Sequence, residues 1–183
     1  MSDPVQPASV YDLSHKEVEE SRATFAVLVD NEPGVLHRVV GLFAARGYNI
    51  DSLTVAETDG ASHTSRITIV TRGTPQVLAQ IEAQLQKMVS TRHVQDVTKD
   101  PNGIERELAL VKVRGTGPER VEALRVSDIF RAKVVDTTHE SFVFELTGAS
   151  SKIDKYVDLM RGLGLVEVSR TGVLSLQRGV EVF

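Results

Sequence analysis

Thr24-Phe-Ala-Val-Leu-Val29 is a nearly continuous apolar run, which is typical of a β-strand buried on both faces. Asp30-Asn-Glu-Pro-Gly34 follows it and has the composition of a tight turn. From Val35 to Arg46 the apolar residues recur at helical spacing, which predicts an amphipathic helix. We expect Pro33 in the first turn of that helix and Gly47 as its C-terminal cap. A strand, a turn and a helix therefore open the fold.

Two further strands and a second helix follow this opening. The strands are predicted near Ile50–Glu57 and Ser65–Thr71, joined by a turn at Thr58-Asp-Gly60. Alternate residues of the later strand share one face, namely Ile67, Ile69 and Thr71. The second helix is indicated by apolar residues at helical spacing: Val77, Leu78, Ile81, Leu85 and Met88. A last strand near Arg92–Thr98 completes the order β-α-β-β-α-β.

The same order of elements recurs in the second half of the chain. Lys99-Asp-Pro-Asn-Gly103 is rich in turn residues and is predicted to be a linker. The elements expected after it are a strand at Glu107–Arg114, a helix at Pro118–Ala132, strands at Val134–Thr137 and Ser141–Thr147, a helix around Ile153–Met160, a strand at Val166–Ser169 and a further strand within Gly172–Gln177. The residues expected to face the second core include Phe142, Phe144, Leu146, Ile153, Tyr156 and Met160.

Two consecutive βαββαβ units imply an α+β protein made of two ferredoxin-like sandwiches. The predicted organisation is a mobile N-terminal tail at 1–21, a first domain at 22–98, the linker at 99–103 and a second domain at 104–183. The tail is polar, and a short helix is expected within it around Ser14–Glu20. Helices cover one face of each sheet, so the other face must be covered or used.

Composition excludes several classes of protein. The 183 residues carry a formal net charge of −4, whereas a nucleic-acid binder normally has a basic excess. The absence of cysteine excludes thiol nucleophiles, disulfides and cysteine-ligated metals. No apolar run approaches the roughly 20 residues that span a bilayer, and the N-terminal residues do not have the pattern of a secretory signal. We therefore expect a cytoplasmic protein without membrane or nucleic-acid partners.

The sequence contains no recognisable catalytic motif. None of the five histidines lies three or four residues from another, so no helical metal-binding pair exists, and no metal site is predicted. Neither a nucleophile elbow nor a P-loop occurs. Gly115-Thr-Gly-Pro-Glu-Arg120 is interpreted as a tight turn in which Pro118 starts a helix. Asp154 and Asp158 are interpreted as part of a solvated helix face. We predict no catalytic residue in this chain.

The turn before the first helix has the chemistry of a small-molecule site. Gly34 lets a backbone approach a ligand without a clash from a Cβ atom. The unpaired amides at the start of the helix form a ready carboxylate site. The Asn31 side chain can both donate and accept hydrogen bonds. A free amino acid presents a carboxylate and an ammonium close together, so the turn could hold one. The alternative is that Asn31 and Gly34 only shape the turn and cap the helix.

The segment from Asp30 to Val55 resembles the ACT domain in the form found in acetolactate synthase (acetohydroxyacid synthase) small subunits. Arg46-Gly-Tyr-Asn-Ile-Asp-Ser-Leu-Thr-Val55 and Ser65-Arg-Ile-Thr-Ile-Val70 carry this resemblance most specifically. Weaker matches run to the end of the chain, at Gln80–Val89, Glu105–Val113, Ile129–Arg131, Ser169–Val173 and Ser175–Gly179. The resemblance covers the chain from about residue 22 onward and implies a regulatory subunit, not an enzyme.

In that family ACT domains pair side by side as a homodimer, and the feedback inhibitor, usually valine, binds at the interface. Carried over residue by residue, the resemblance assigns the effector site to Asn31, Gly34, Val35 and Leu36 of one copy and to Asn49 and Ile50 of the other. His37 stands where the family often has a small residue, so a bulkier side chain beside the loop is expected to alter the affinity for valine or to add a pH dependence.

The resemblance also implies a partner. The catalytic large subunit of the family holds thiamine diphosphate, magnesium and FAD and condenses 2-oxo acids in branched-chain amino-acid synthesis. The small subunit raises its activity and makes it sensitive to valine, while the small subunit itself carries no cofactor. Two alternatives stay open: an ACT-type amino-acid-binding regulator of another pathway, and a small enzyme whose site is shared across a dimer interface.

Overall fold

The computed structural model describes residues 19–59 and 63–180. Most of the predicted tail, with all but the last two residues of its helix at Ser14–Glu20, lies outside this range, as does Gly60 of the predicted turn. The described elements are, in chain order, β1 (Ser21–Asp30), α1 (Val35–Ala44), β2 (Ser52–Asp59), β3 (Thr64–Gly73), α2 (Pro75–Gln86), β4 (Thr91–Asp96), a 3-10 turn (Val97–Lys99), β5 (Gly103–Arg114), α3 (Gly117–Phe130), β6 (Lys133–Thr137), β7 (Ser141–Gly148), α4 (Ser150–Arg161), β8 (Leu165–Arg170) and β9 (Leu174–Gln177). The predicted α+β class with two βαββαβ units is confirmed.

The first sheet is fully antiparallel, with strand order β2-β3-β1-β4. One face of it packs against α1 and α2 around a core of fully buried side chains that includes Phe25, Phe43, Ile67, Ile69, Ile81 and Leu85. Each of these contributes roughly 1.5–3 kcal/mol by burial. Thr24, on the opposite face of β1, is also fully buried. The prediction that β1 is covered on both faces is therefore confirmed.

Helix α1 starts after a type II turn. Val35 N donates to the carbonyl of Glu32 at 3.3 Å, which places Pro33 and Gly34 in the two central positions. Gly34 has φ 86° and ψ −4°, a left-handed conformation typical of the third residue of a type II turn. The prediction that Pro33 lies in the first helical turn is thus wrong, because Pro33 is a central residue of this turn and α1 begins only at Val35.

The other end of α1 follows the sequence prediction. The amide of Tyr48 donates to the Phe43 carbonyl at 3.0 Å and the amide of Gly47 to the Ala44 carbonyl at 3.2 Å. Gly47 itself has φ 67°. This pair of bonds around a left-handed glycine is the Schellman motif, which satisfies carbonyls that the helix leaves unpaired.

The second sheet has the strand order β6-β7-β5-β8, and α3 and α4 cover one of its faces. Tyr156 of α4 is fully buried, and its hydroxyl shares a 2.8 Å hydrogen bond with Ser127 of α3. Burial disfavours the phenolate and raises the pKa of Tyr156 to about 12. The predicted core residues Phe142, Phe144, Leu146, Ile153 and Met160 are all buried.

Strand β5 is longer than the sequence indicates. It begins at Gly103 rather than near Glu107, because residues 103–106 pair with β9, far along the chain. The predicted linker at 99–103 accordingly contains the last residue of the 3-10 turn and the first residue of β5. The exact boundaries of the domains remain a prediction.

The two halves of the protein meet where this β5–β9 ribbon crosses the first sheet. Ser52 and Thr54, on the face away from the helices, hydrogen-bond to Val173, which directly precedes β9, and Arg66 on the same face hydrogen-bonds to Ser175 of the ribbon. Ala26, Thr68, Val70 and Val173 are buried there at no more than 3% exposure. The ribbon therefore covers the face of the first sheet that its own helices leave open.

Candidate functional site

The turn that leads into α1 presents free backbone donors. Gly34 is exposed, and a Cβ atom built on it would meet no atom within 4 Å. The amide of Val35 is taken up by the turn, but those of Leu36 and His37 donate to no acceptor within residues 19–59 and 63–180. These two amides lie in the first turn of α1, where the helix carries a partial positive charge. The surface above Gly34 is thus open and suited to an anion.

The side chains of the four predicted loop residues differ in their surroundings. Asn31 is exposed, and its backbone amide is fixed by a 2.8 Å hydrogen bond to the His63 carbonyl. Leu36 is 42% exposed and offers an apolar surface beside the turn. Val35 packs its side chain into the core at 4% exposure, so only its backbone faces the turn.

Asn49 and Ile50 lie together just before β2. The Asn49 side-chain amide donates to Asp51 Oδ1 at 2.8 Å, and the Asn49 carbonyl accepts from Thr71 Oγ1 at 2.6 Å. Ile50 is half-buried and packs against the first core. Asp51 is tied in turn to Arg72 by a 2.9 Å ion pair. The segment is therefore held rigidly, with the Asn49 side chain at the surface.

The two groups lie at opposite ends of the first sheet. Asn31 follows Asp30, which pairs with Thr64, whereas Asn49 bonds to Thr71, which pairs with Ala23. Asp30 and Ala23 are seven residues apart on β1, which corresponds to roughly 23 Å along a strand. A free amino acid is much smaller than this distance. It can contact both groups only if they come from two different copies of the chain.

Sequence reasoning missed three residues that shape these surfaces. Asp51 orients the Asn49 amide, Thr71 holds its carbonyl, and the His63 carbonyl positions Asn31. Asp51 lies two residues from Asn49 in a segment already singled out, so its proximity was a usable signal. Thr71 and His63 gave none, because only the pairing of β1 and β2 with β3 brings them near.

The carboxylates and histidines of the described residues do not form a candidate metal centre. No group of three His, Asp or Glu side chains that could hold a metal ion occurs among them. Asp158 is exposed as predicted, but Asp154 is not merely solvated, because it accepts a 2.7 Å hydrogen bond from Arg170. No helix in the described part of the chain is long and apolar enough to cross a membrane.

Comparisons with known proteins give related family matches for both halves of the chain. Residues 25–93 match the AHAS small subunit-like ACT domain, and residues 106–179 match the family described as small subunit of acetolactate synthase. A probable acetolactate synthase small subunit from Archaeoglobus fulgidus is 44% identical over 156 residues, covering 85% of this chain and 96% of that protein. The acetolactate synthase isozyme 3 small subunit of Escherichia coli is 43% identical over 162 residues, covering 88% and 98%.

A solved structure gives the same result. The crystal structure of the acetolactate synthase small subunit from Thermotoga maritima superimposes with a TM-score of 0.77 at 36% identity, covering 88% of this chain and 99% of that one. The resemblance predicted from the motifs is confirmed over both halves of the fold. The chain belongs to the family of acetolactate synthase small subunits, and its first half is the ACT domain of that family.

Proposed function

We propose that this chain is a regulatory subunit that binds a branched-chain amino acid, valine, between the ACT domains of two copies and thereby inhibits a catalytic acetolactate synthase subunit. The observation that carries the proposal is the open turn at Gly34, with the free amides of Leu36 and His37 beside it. The distance between Asn31 and Asn49 within one chain supports a site that is shared by two copies.

The chemistry of the two surfaces suits a small zwitterion. The amides at the start of α1 would receive the carboxylate, and the exposed Asn31 side chain would accept a hydrogen bond from the ammonium. Leu36 and Ile50 offer apolar surface for an aliphatic side chain. Such a side chain contributes about 1.5–3 kcal/mol by burial, and each charge-assisted hydrogen bond contributes about 1.5–3 kcal/mol. After the cost of association, a dissociation constant in the micromolar to sub-millimolar range is expected.

The partner follows from the family. The relatives are named as small subunits, so we infer a large catalytic subunit as the partner of this chain, with thiamine diphosphate, magnesium and FAD bound there and not here. In this proposal the small subunit raises the activity of the large subunit when no effector is bound. The effector changes how two small subunits pack and so shifts the large subunit toward a less active state.

The test is a titration of the reconstituted complex of large and small subunits. Acetolactate formation is measured with increasing valine, leucine or isoleucine, and the large subunit alone serves as the control. We expect the small subunit to raise activity and valine to inhibit only the complex, at micromolar to sub-millimolar concentrations. Pyruvate consumption by the small subunit alone would favour a small enzyme, and a response only to unrelated amino acids would favour a regulator of another pathway.

A further inference from the structure

A cleft of about 970 Å³ lies between the Asn49 end of the ACT domain and the second half of the chain. Asn49, Ile50 and Ser52 line one side of it, and Arg170 and Gly172 line the other. We infer that Ser52, Thr54, Gly172 and Val173, called here the β2 latch, transmit effector binding from the ACT domain to the second domain. This inference rests on the proposed function, because it concerns the same effector.

The side chains of the β2 latch form two hydrogen bonds with the backbone of Val173. Ser52 Oγ accepts from the backbone amide of Val173 at 3.1 Å, and Thr54 Oγ1 donates to the Val173 carbonyl at 3.0 Å. Both hydroxyls lie on the same face of β2, two residues apart, as alternation along a strand requires. Val173 is 3% exposed, so its amide and carbonyl have little access to water as replacement partners.

Gly172 allows its segment to lie close to Ser52 and Thr54 of β2. It has φ 81°, and a Cβ atom added to it would lie 2.5 Å from Ser52 Oγ and 3.0 Å from Thr54 Cγ2. A larger residue at this position would force the Ser52 and Thr54 side chains to shift, and the backbone at φ 81° favours glycine. The two latch hydroxyls therefore depend on the small size of Gly172 to reach Val173.

The latch is attached directly to the predicted effector residues. Ile50 precedes Ser52 by two residues. The backbone amide of the intervening Asp51 donates a hydrogen bond to the Val70 carbonyl at 2.8 Å. The Asn49 carbonyl is held by Thr71. Residues 49–51 are therefore held by hydrogen bonds to β3. We expect a displacement of Asn49 or Ile50 by a bound ligand to be passed on to Ser52 of the latch.

On the side of the second domain, the segment that carries Gly172 and Val173 is bonded to a strand and a helix. Arg170, three residues before Val173, binds the buried Glu107 of β5 through two hydrogen bonds of 2.6 and 2.7 Å. It also binds Asp154 of α4 at 2.7 Å. Bonded contacts therefore connect the segment around Val173 to a strand and a helix of the second domain, and we expect the coupling free energy between the domains to be carried along them.

The experiment uses a matched pair of variants on one strand. Thr54→Val, combined with Ser52→Ala, removes both latch hydroxyls. Thr58→Val is the control, because Thr58 is on the same strand but donates its hydrogen bond to the Thr64 carbonyl within the ACT domain. The full chain is studied with valine as the probe. Calorimetry gives the affinity, and hydrogen exchange gives the protection that valine confers on residues 103–106 and 174–177.

The wild type and Thr58→Val are expected to bind valine and to change exchange in the ribbon. The latch variant is expected to bind valine within about threefold of wild-type affinity but to lose most of the exchange response in the ribbon. A full ribbon response in the latch variant would overturn the latch while leaving the proposed function intact. Failure of the wild type to bind valine would overturn the proposed function and the latch with it.

Discussion

Substitution of Gly34 by Asp is expected to abolish valine inhibition while the small subunit still activates its partner. The new carboxylate would stand beside the amides of Leu36 and His37, where the carboxylate of the effector is proposed to bind. Loss of one or two charge-assisted hydrogen bonds together with charge repulsion corresponds to at least about a 100-fold loss of affinity. Acetolactate formation by the reconstituted complex, measured against valine concentration, checks this result.

The protein offers a matched control for this substitution. Gly117 also lies at the start of a helix, has φ 60°, and would place a Cβ atom in open space. Gly117→Asp therefore introduces the same charge and the same backbone strain, about 1 kcal/mol, in the second domain. Normal valine inhibition in Gly117→Asp and none in Gly34→Asp would support the site. Unchanged inhibition in Gly34→Asp would remove Gly34 from it.

Replacement of Arg170 by Met is expected to cost the second domain about 3 kcal/mol of unfolding free energy. Glu107 is 5% exposed, and Arg170 pairs with both of its carboxylate oxygens. These hydrogen bonds raise the pKa of Arg170 and keep the guanidinium charged. Without Arg170 the buried carboxylate has no counter-charge, which typically costs 3–5 kcal/mol. We expect the lower end, because a third of the Arg170 side chain is exposed.

Lys112 provides the comparison, because it also pairs across β5 and β8. Lys112 Nζ lies 2.6 Å from Glu167 Oε2, as short a contact as that of Arg170, but both side chains are largely exposed. Lys112→Met should therefore destabilise the protein much less than Arg170→Met. Urea unfolding of both variants gives the loss of unfolding free energy that each substitution causes. Equal costs would show that burial of Glu107 does not decide the strength of the pair. Adding Glu107→Gln to Arg170→Met should recover part of the loss, because no charge is then left buried.

The fold could be predicted because its signals are local. Alternation at Phe142, Phe144 and Leu146 and helical spacing at Ile153, Tyr156 and Met160 each identify an element without knowledge of its neighbours, and all six residues are buried. Gly103 was assigned to the linker and residues 104–106 to no element, because their strand character depends on pairing with β9 about 70 residues later. The strand within Gly172–Gln177 was predicted, but the sequence does not indicate with which segment it pairs.

The candidate site was predictable only in part, for the same reason. The Pro33-Gly34 pair and the helix that follows it indicate in the sequence the turn that we propose binds the effector carboxylate. The rigid setting of Asn49 depends on Thr71 and the β2 latch depends on Val173, and both become visible only when the sheets are assembled. For Val35, its place in the motif does not reveal that its side chain points into the core, and its assignment to the site stays a prediction.

The central claim is that one valine is held between Gly34 of one copy and Asn49 of another. It is tested by mixing Gly34→Asp and Asn49→Ala chains, unfolding and refolding them together so that subunits exchange, and measuring valine binding by calorimetry. Each variant alone should bind weakly or not at all. The mixture should regain sites of wild-type affinity at about a quarter of the wild-type capacity, because random pairing makes half of the dimers mixed and each mixed dimer has one intact site of two. If wild-type chains bind valine after the same refolding and the mixture regains no site, the two residues do not form a site across two copies.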